Sequence, residues 1–191
     1  MCIGSLFWLS GRMFLACVVL GILSFAYSLP MLPFKDKRRI RDFGWIKILV
    51  LTSVWTIVTS MLPIVYWGKD LYEYPYEILM RFVFMLTLCV AFDIRDMQTD
   101  LEAGIFTIPN LIGIKNSYRL MNTAIVLFSV LSVIQYFRYQ SVSRLIADLL
   151  TAFITKLVID YTRKYPSDKA YLGLVDGMML LYGILVLSLK V

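Results

Sequence analysis

About six apolar stretches, separated by short runs rich in charge, glycine and proline, divide this chain along its length. They fall near Ile3 to Leu29, Trp45 to Trp67, Ile78 to Phe92, Leu120 to Phe137, Leu145 to Thr162 and Tyr171 to Leu189. Most approach the roughly 20 residues with which a helix crosses a bilayer. Nothing shows the alternating, turn-punctuated segments of about ten residues that mark a membrane barrel, so the pattern predicts α-helices. The first stretch lacks the basic start of a secretory signal and is too long for one; Gly11-Arg12 suits a membrane helix whose arginine reaches the interface.

Composition agrees with the pattern. The chain is 60% hydrophobic and only 17% charged over 191 residues, with a mean hydropathy of +0.76. That is too apolar for a soluble domain, whose apolar share is about half. The expectation is an all-α integral membrane protein: a single transmembrane domain over residues 1–191, folded as a bundle of about six transmembrane helices.

Charge adds an orientation. Lys35, Lys37, Arg38, Arg39, Arg41 and Lys47, then Arg95, Lys115 and Arg119, then Arg163, Lys164 and Lys169 lie in loops that alternate onto one side. The other side holds only Lys69, Arg138, Arg144 and Lys190, so the positive-inside rule places the first set in the cytoplasm. In a bacterium this would be the inner membrane. The net charge of +6 is thereby topological, and no basic module interleaved with aromatics calls for nucleic acid. The cluster from Lys35 to Arg41 suits anionic lipid head groups or a diphosphate.

Histidine is absent, which removes histidine-based zinc sites and Ser-His or Cys-His nucleophiles. Cys2, Cys17 and Cys89 are odd in number and form no recognisable framework. Carboxylates are the remaining candidates. Asp93, Asp96 and Asp100 close the third apolar stretch, and in a continuous helix they share one narrow arc. Such a row is either a solvated acidic cap or a site for a hard divalent cation, Mg²⁺ above all. Farther along, Lys156 and Asp160 are spaced to pair along a helix, whereas Asp148 and Asp176 have no obvious local partner and are cavity candidates.

Past the acidic row, Gly104, Thr107, Ile108, Pro109 and Gly113 complete a string of the form D-x-x-D-x-x-x-D followed by G-x-x-T-I-P-x-x-x-G. It resembles the second aspartate-rich motif and following loop of the UbiA superfamily of intramembrane prenyltransferases. Upstream, Tyr27 and Lys35 are similar to a family Tyr and Lys that bind diphosphate, although the tighter Tyr-x-x-x-Lys form is not met. The resemblance implies a Mg²⁺-dependent transfer of a polyprenyl group from its diphosphate to an aromatic or other lipophilic acceptor. Asp93, Asp96 and Asp100 would hold metal, and Tyr27, Lys35 and Arg95 would touch the diphosphate. It covers the chain as the later two thirds of a fold of about nine helices. The first three helices and the first motif, Asn-Asp-x-x-Asp-x-x-x-Asp, have no counterpart. The expectation is therefore a truncated amino end or a shortened relative, inactive without a missing segment or partner chain, the alternative being a non-catalytic subunit.

Overall fold

The structure, a computed structural model, describes residues 11–28 and 44–188. Its elements are α1 (Gly11–Ser28), α2 (Gly44–Tyr66), α3 (Pro75–Arg95), α4 (Met97–Glu102), α5 (Ile108–Ile112), α6 (Ile114–Tyr139), α7 (Val142–Lys164) and α8 (Asp168–Ser188). A 3₁₀ turn, Leu71–Glu73, separates α2 from α3. The described residues form no strand. Three helices, α2, α6 and α8, are long and apolar enough to cross a membrane. The protein is accordingly an all-α integral membrane protein. Helices also occupy the described residues of the other three predicted stretches, but α7 carries Arg144, Asp148, Lys156 and Asp160 along its length.

Helix α3 is the hub. It packs on α2 and on α6, and it touches the start of α8; α7 closes the bundle between α6 and α8, and α1 lies against α2. Met80, Phe84 and Leu88 of α3 are buried with Met121 and Phe128 of α6, Ile159 of α7 and Tyr182 of α8. The rings of Phe84, Phe128 and Tyr182 meet at centroid separations of 5.3 to 5.9 Å, the tilted and edge-on geometry that aromatic quadrupoles favour. Outward faces are apolar as well, with Leu15, Val126, Phe153, Leu157, Leu180 and Ile184 exposed. Water would penalise such a surface; a hydrocarbon solvent does not.

Most buried hydroxyls in this bundle are satisfied locally, those of Thr52 and Ser60 excepted. Thr56, Thr87, Ser132, Thr151 and Thr155 each donate to the carbonyl four residues earlier, which avoids unpaired polar atoms away from water. Pro63 stands inside α2, where its ring has no N–H to give. A π-helical stretch, Ile57–Met61, immediately precedes it, so the chain widens by one residue where an ordinary helix would clash.

Charges inside the bundle are tied between helices. Near the start of α3, Glu77 accepts hydrogen bonds from Arg144 of α7 and from Gln135 of α6, and pairs with Arg81 one turn away. Arg144 also donates to Asp148, at 3.2 Å, and to the Tyr182 hydroxyl, which itself donates to Asp148 at 2.7 Å. The Arg81 guanidinium lies 4.2 Å from the centre of the Tyr182 ring. Two carboxylates and two guanidinium groups of α3 and α7 therefore neutralise one another, with Gln135 of α6 and Tyr182 of α8 completing the hydrogen bonds. Replacing Arg144 by Met would leave Glu77 short of its main partner and Asp148 without a cation. The expected cost is about 3–5 kcal/mol, read by unfolding in detergent micelles. Lys156→Gln, which breaks the exposed pair with Asp160, is expected to cost less than about 1 kcal/mol.

Candidate functional site

The acidic row lies at the opposite end of α3 from the Glu77 cluster. Helix α3 ends at Arg95, and Asp96, at φ −85° and ψ 2°, turns the chain before α4 begins. That turn separates what one continuous helix would have kept in a single arc. Asp93, on the last turn of α3, and Asp100, within α4, are both buried and converge on the Lys47 ammonium of α2, at 3.3 Å and 2.8 Å. Asp96 turns away and takes both hydrogen bonds of the adjacent Arg95 guanidinium, at 2.7 Å and 2.9 Å. The expected trio is thus a pair plus one. No group of three acidic or cysteine side chains among the described residues could hold a metal ion.

One oxygen of the pair is left over. Asp93 Oδ2 is buried without a hydrogen-bond partner, while its Oδ1 faces Lys47. Just beyond the apolar run that ends at Phe92, burial pushes the Asp93 carboxyl up to about 6, against the pull of Lys47. A buried, under-partnered carboxylate beside a second one is a strong cation attractor.

The connector from Gly104 to Gly113 roofs this end. Thr107 is fully buried at the residue before α5, with Pro109 in the first turn, where a missing N–H costs nothing. Asn110 Nδ2 donates to Thr107 Oγ1 at 3.2 Å and lies within 3.4 Å of the Ile105 carbonyl, so its side chain holds the loop closed. Gly113, at φ +80°, occupies backbone space that favours glycine and lets α6 start at once. Gly44 at the start of α2 is pressed against the loop: a Cβ there would lie 1.9 Å from the Phe106 carbonyl oxygen. This contact is what brings Lys47, three residues on, over Asp93 and Asp100.

No family model, curated protein or solved structure matches this chain. The site therefore rests on its own geometry.

The other sequence candidates are dispersed. Asp148 is wholly buried but committed to Arg144 and Tyr182, so it is a member of the far cluster rather than a cavity wall; its partner stands four residues upstream on the same helix. Asp176 is exposed on α8. Lys156 and Asp160 pair as expected. Arg95 is spent on Asp96 and lies over the Phe92 ring. The Tyr27 side chain and Lys35, with the basic cluster through Arg41, lie outside the described residues.

Lys47 is the residue of this candidate site that local sequence pattern does not reveal. By sequence it belongs with the loop cations, yet it stands two residues inside the apolar run that begins at Trp45, and a charge so placed demands a partner. Asn110 carried no comparable signal. Gly44→Ala is expected to push the loop off α2 and to cost about 1–3 kcal/mol in detergent unfolding. Gly21→Ala, in open space on α1, is the control expected to leave stability unchanged.

Proposed function

We propose that this protein is a UbiA-like prenyltransferase, acting on a polyprenyl diphosphate and an aromatic or other lipophilic acceptor. The observation that supports this reading is the pair Asp93 and Asp100, buried under the Gly104–Gly113 loop at one end of a lipid-facing bundle, with an unpartnered oxygen on Asp93. The donors suit Mg²⁺, which binds through one or two carboxylates together with substrate phosphates. Asp93 and Asp100 would hold it. Bound there, the ion would offset the negative charge that develops on a departing diphosphate.

The chain's own residues have complementary roles in this reading. Lys47 brings positive charge to the same point and keeps two carboxylates from repelling each other. Between α2 and α3 lies an apolar groove of about 740 Å³, walled by Ile57, Met61, Ile78, Leu79 and Phe82 with Thr56. Its chemistry suits a prenyl chain. It lies between the same two helices, toward their Leu71–Pro75 end.

A second reading has its own support. The Lys47 ammonium already stands where a cation would, so the pair can serve as a fixed bolt between α2 and α3 in a non-catalytic membrane protein. The deciding experiment is Mg²⁺-dependent binding of a non-hydrolysable prenyl diphosphate to the purified protein, with transfer of a labelled prenyl group to aromatic acceptors. Asp93→Asn together with Asp100→Asn is expected to reduce the binding at least tenfold. Loss of stability without any Mg²⁺-dependent binding in the parent protein would favour the bolt.

The proposal extends to topology. Six spans put the Lys47, Gly104 and Lys164 ends in the cytoplasm and the Asp70 and Gln140 loops on the other side, following the lopsided basic count. Single cysteines at Lys164 and Gln140 are expected to react with an impermeant thiol reagent from opposite sides of intact cells. Equal labelling from outside would defeat the orientation.

A further inference from the structure

A second cavity, of about 810 Å³, opens at the same end of the bundle, on the other side of α3 from the Asp93 pair. Arg95 from the end of α3, Lys115 from the start of α6 and Arg163 from the end of α7 all line it, with Asp168 its one carboxylate. Ile94, Ile114, Pro166 and the two tyrosines Tyr118 and Tyr171 form its apolar walls. Asp93 and Asp100 line no part of it.

The cations in this cavity are poorly neutralised. Arg95 has Asp96, but neither Lys115 nor Arg163 comes within ion-pair distance of a carboxylate among the described residues; Arg163 rests over the Tyr118 ring, 5.2 Å from its centre. The ends of α3 and α7 account for Arg95 and Arg163, because a cation is favourable at a helix C-terminus. Lys115 has no such excuse. It is the second residue of the 26-residue α6, where the helix dipole is positive and a cation is repelled. An anion seated in the cavity would reverse the sign of that interaction and serve all three cations at once.

We infer that this cavity binds a phosphate group, held by Lys115 and Arg163 with Arg95 at its edge. Arginine forks and lysine ammonium groups suit phosphate oxygens, and a basic pocket between membrane helices on the positive side is where anionic head groups settle. Ile114 in its wall is exposed, and Ile112, Tyr165 and Leu172, chain neighbours of lining residues, are exposed too, so an acyl or prenyl tail could leave the cavity along an apolar surface. The source is either an amphiphile's phosphate head or free phosphate, and the two differ in what an assay requires.

The test uses the full chain in a neutral detergent, with two arms. One titrates micelles carrying phosphatidylglycerol against micelles carrying phosphatidylcholine; the other titrates inorganic phosphate. Binding is read by thermal shift and by native mass spectrometry for stoichiometry. Saturable one-to-one binding is expected in at least one arm. Lys115→Gln with Arg163→Gln is expected to weaken it at least tenfold, and Arg138→Gln at the other end of α6 to leave it unchanged. Binding in the phosphatidylglycerol arm alone identifies an amphiphile, and binding in both identifies the phosphate itself. Lys115→Gln alone, at an exposed side chain without a protein partner, guards against misfolding and is expected to weaken binding by several fold. No binding in either arm, or binding that the double variant leaves unchanged, overturns the inference.

Discussion

The interaction on which the rest of this structure depends is the pairing of Lys47 with Asp93 and Asp100. A charge withdrawn from water in an apolar bundle is costly, and only an opposite charge at close range with hydrogen bonds makes it tolerable. Here one ammonium serves two carboxylates from opposite sides of a helix break, which fixes α2 against α3 and holds α4 beneath the connector. Remove the lysine and the like-charged pair would have to separate, be protonated or recruit a cation.

The other end of the bundle follows the same rule with different parts. Glu77, Asp148, Arg81 and Arg144 balance, and Tyr182 completes the set with a hydroxyl that accepts from Arg144 and donates to Asp148. Arginine suits this position because its fork can face several acceptors in one plane, which an ammonium cannot. Between the two clusters the core is apolar and aromatic, interspersed with threonines such as Thr87, Thr151 and Thr155 whose hydroxyls bond their own helices. Specificity of helix pairing thus resides at the ends, where few alternative arrangements would satisfy every charge, while the middle supplies close packing.

What the sequence made legible was whatever depends on local pattern. Apolar runs of sufficient length read directly as helices, and Gly104, Pro109 and Gly113 announced a compact connector because their backbone requirements are intrinsic. The split of the acidic row was hidden, because helical periodicity assumes continuity and nothing in Asp93 to Asp100 is a helix breaker. The turn at Asp96 is imposed from outside, by Arg95 on one side and by the drawing of Asp100 toward Lys47 on the other. The far cluster was hidden for a related reason. Glu77 and Arg144 each stand just outside an apolar run and are 67 positions apart, so their meeting is a fact no local window contains.

Helix α3 carries an acid of each cluster, Glu77 near its start and Asp93 near its end, 16 residues or about 24 Å apart along the axis. It therefore behaves mechanically as a rod pinned at both tips. Sliding it lengthwise by one turn, or rotating it by one residue, would tear out both pins together, since the two carboxylates belong to a single rigid body. A disturbance at either tip has only two exits: a bend within the rod, or movement of the helices clamped to it. Any signal or strain entering at the Lys47 end must in this way be felt by α7 and α8 at the other, without a chain of side chains to relay it.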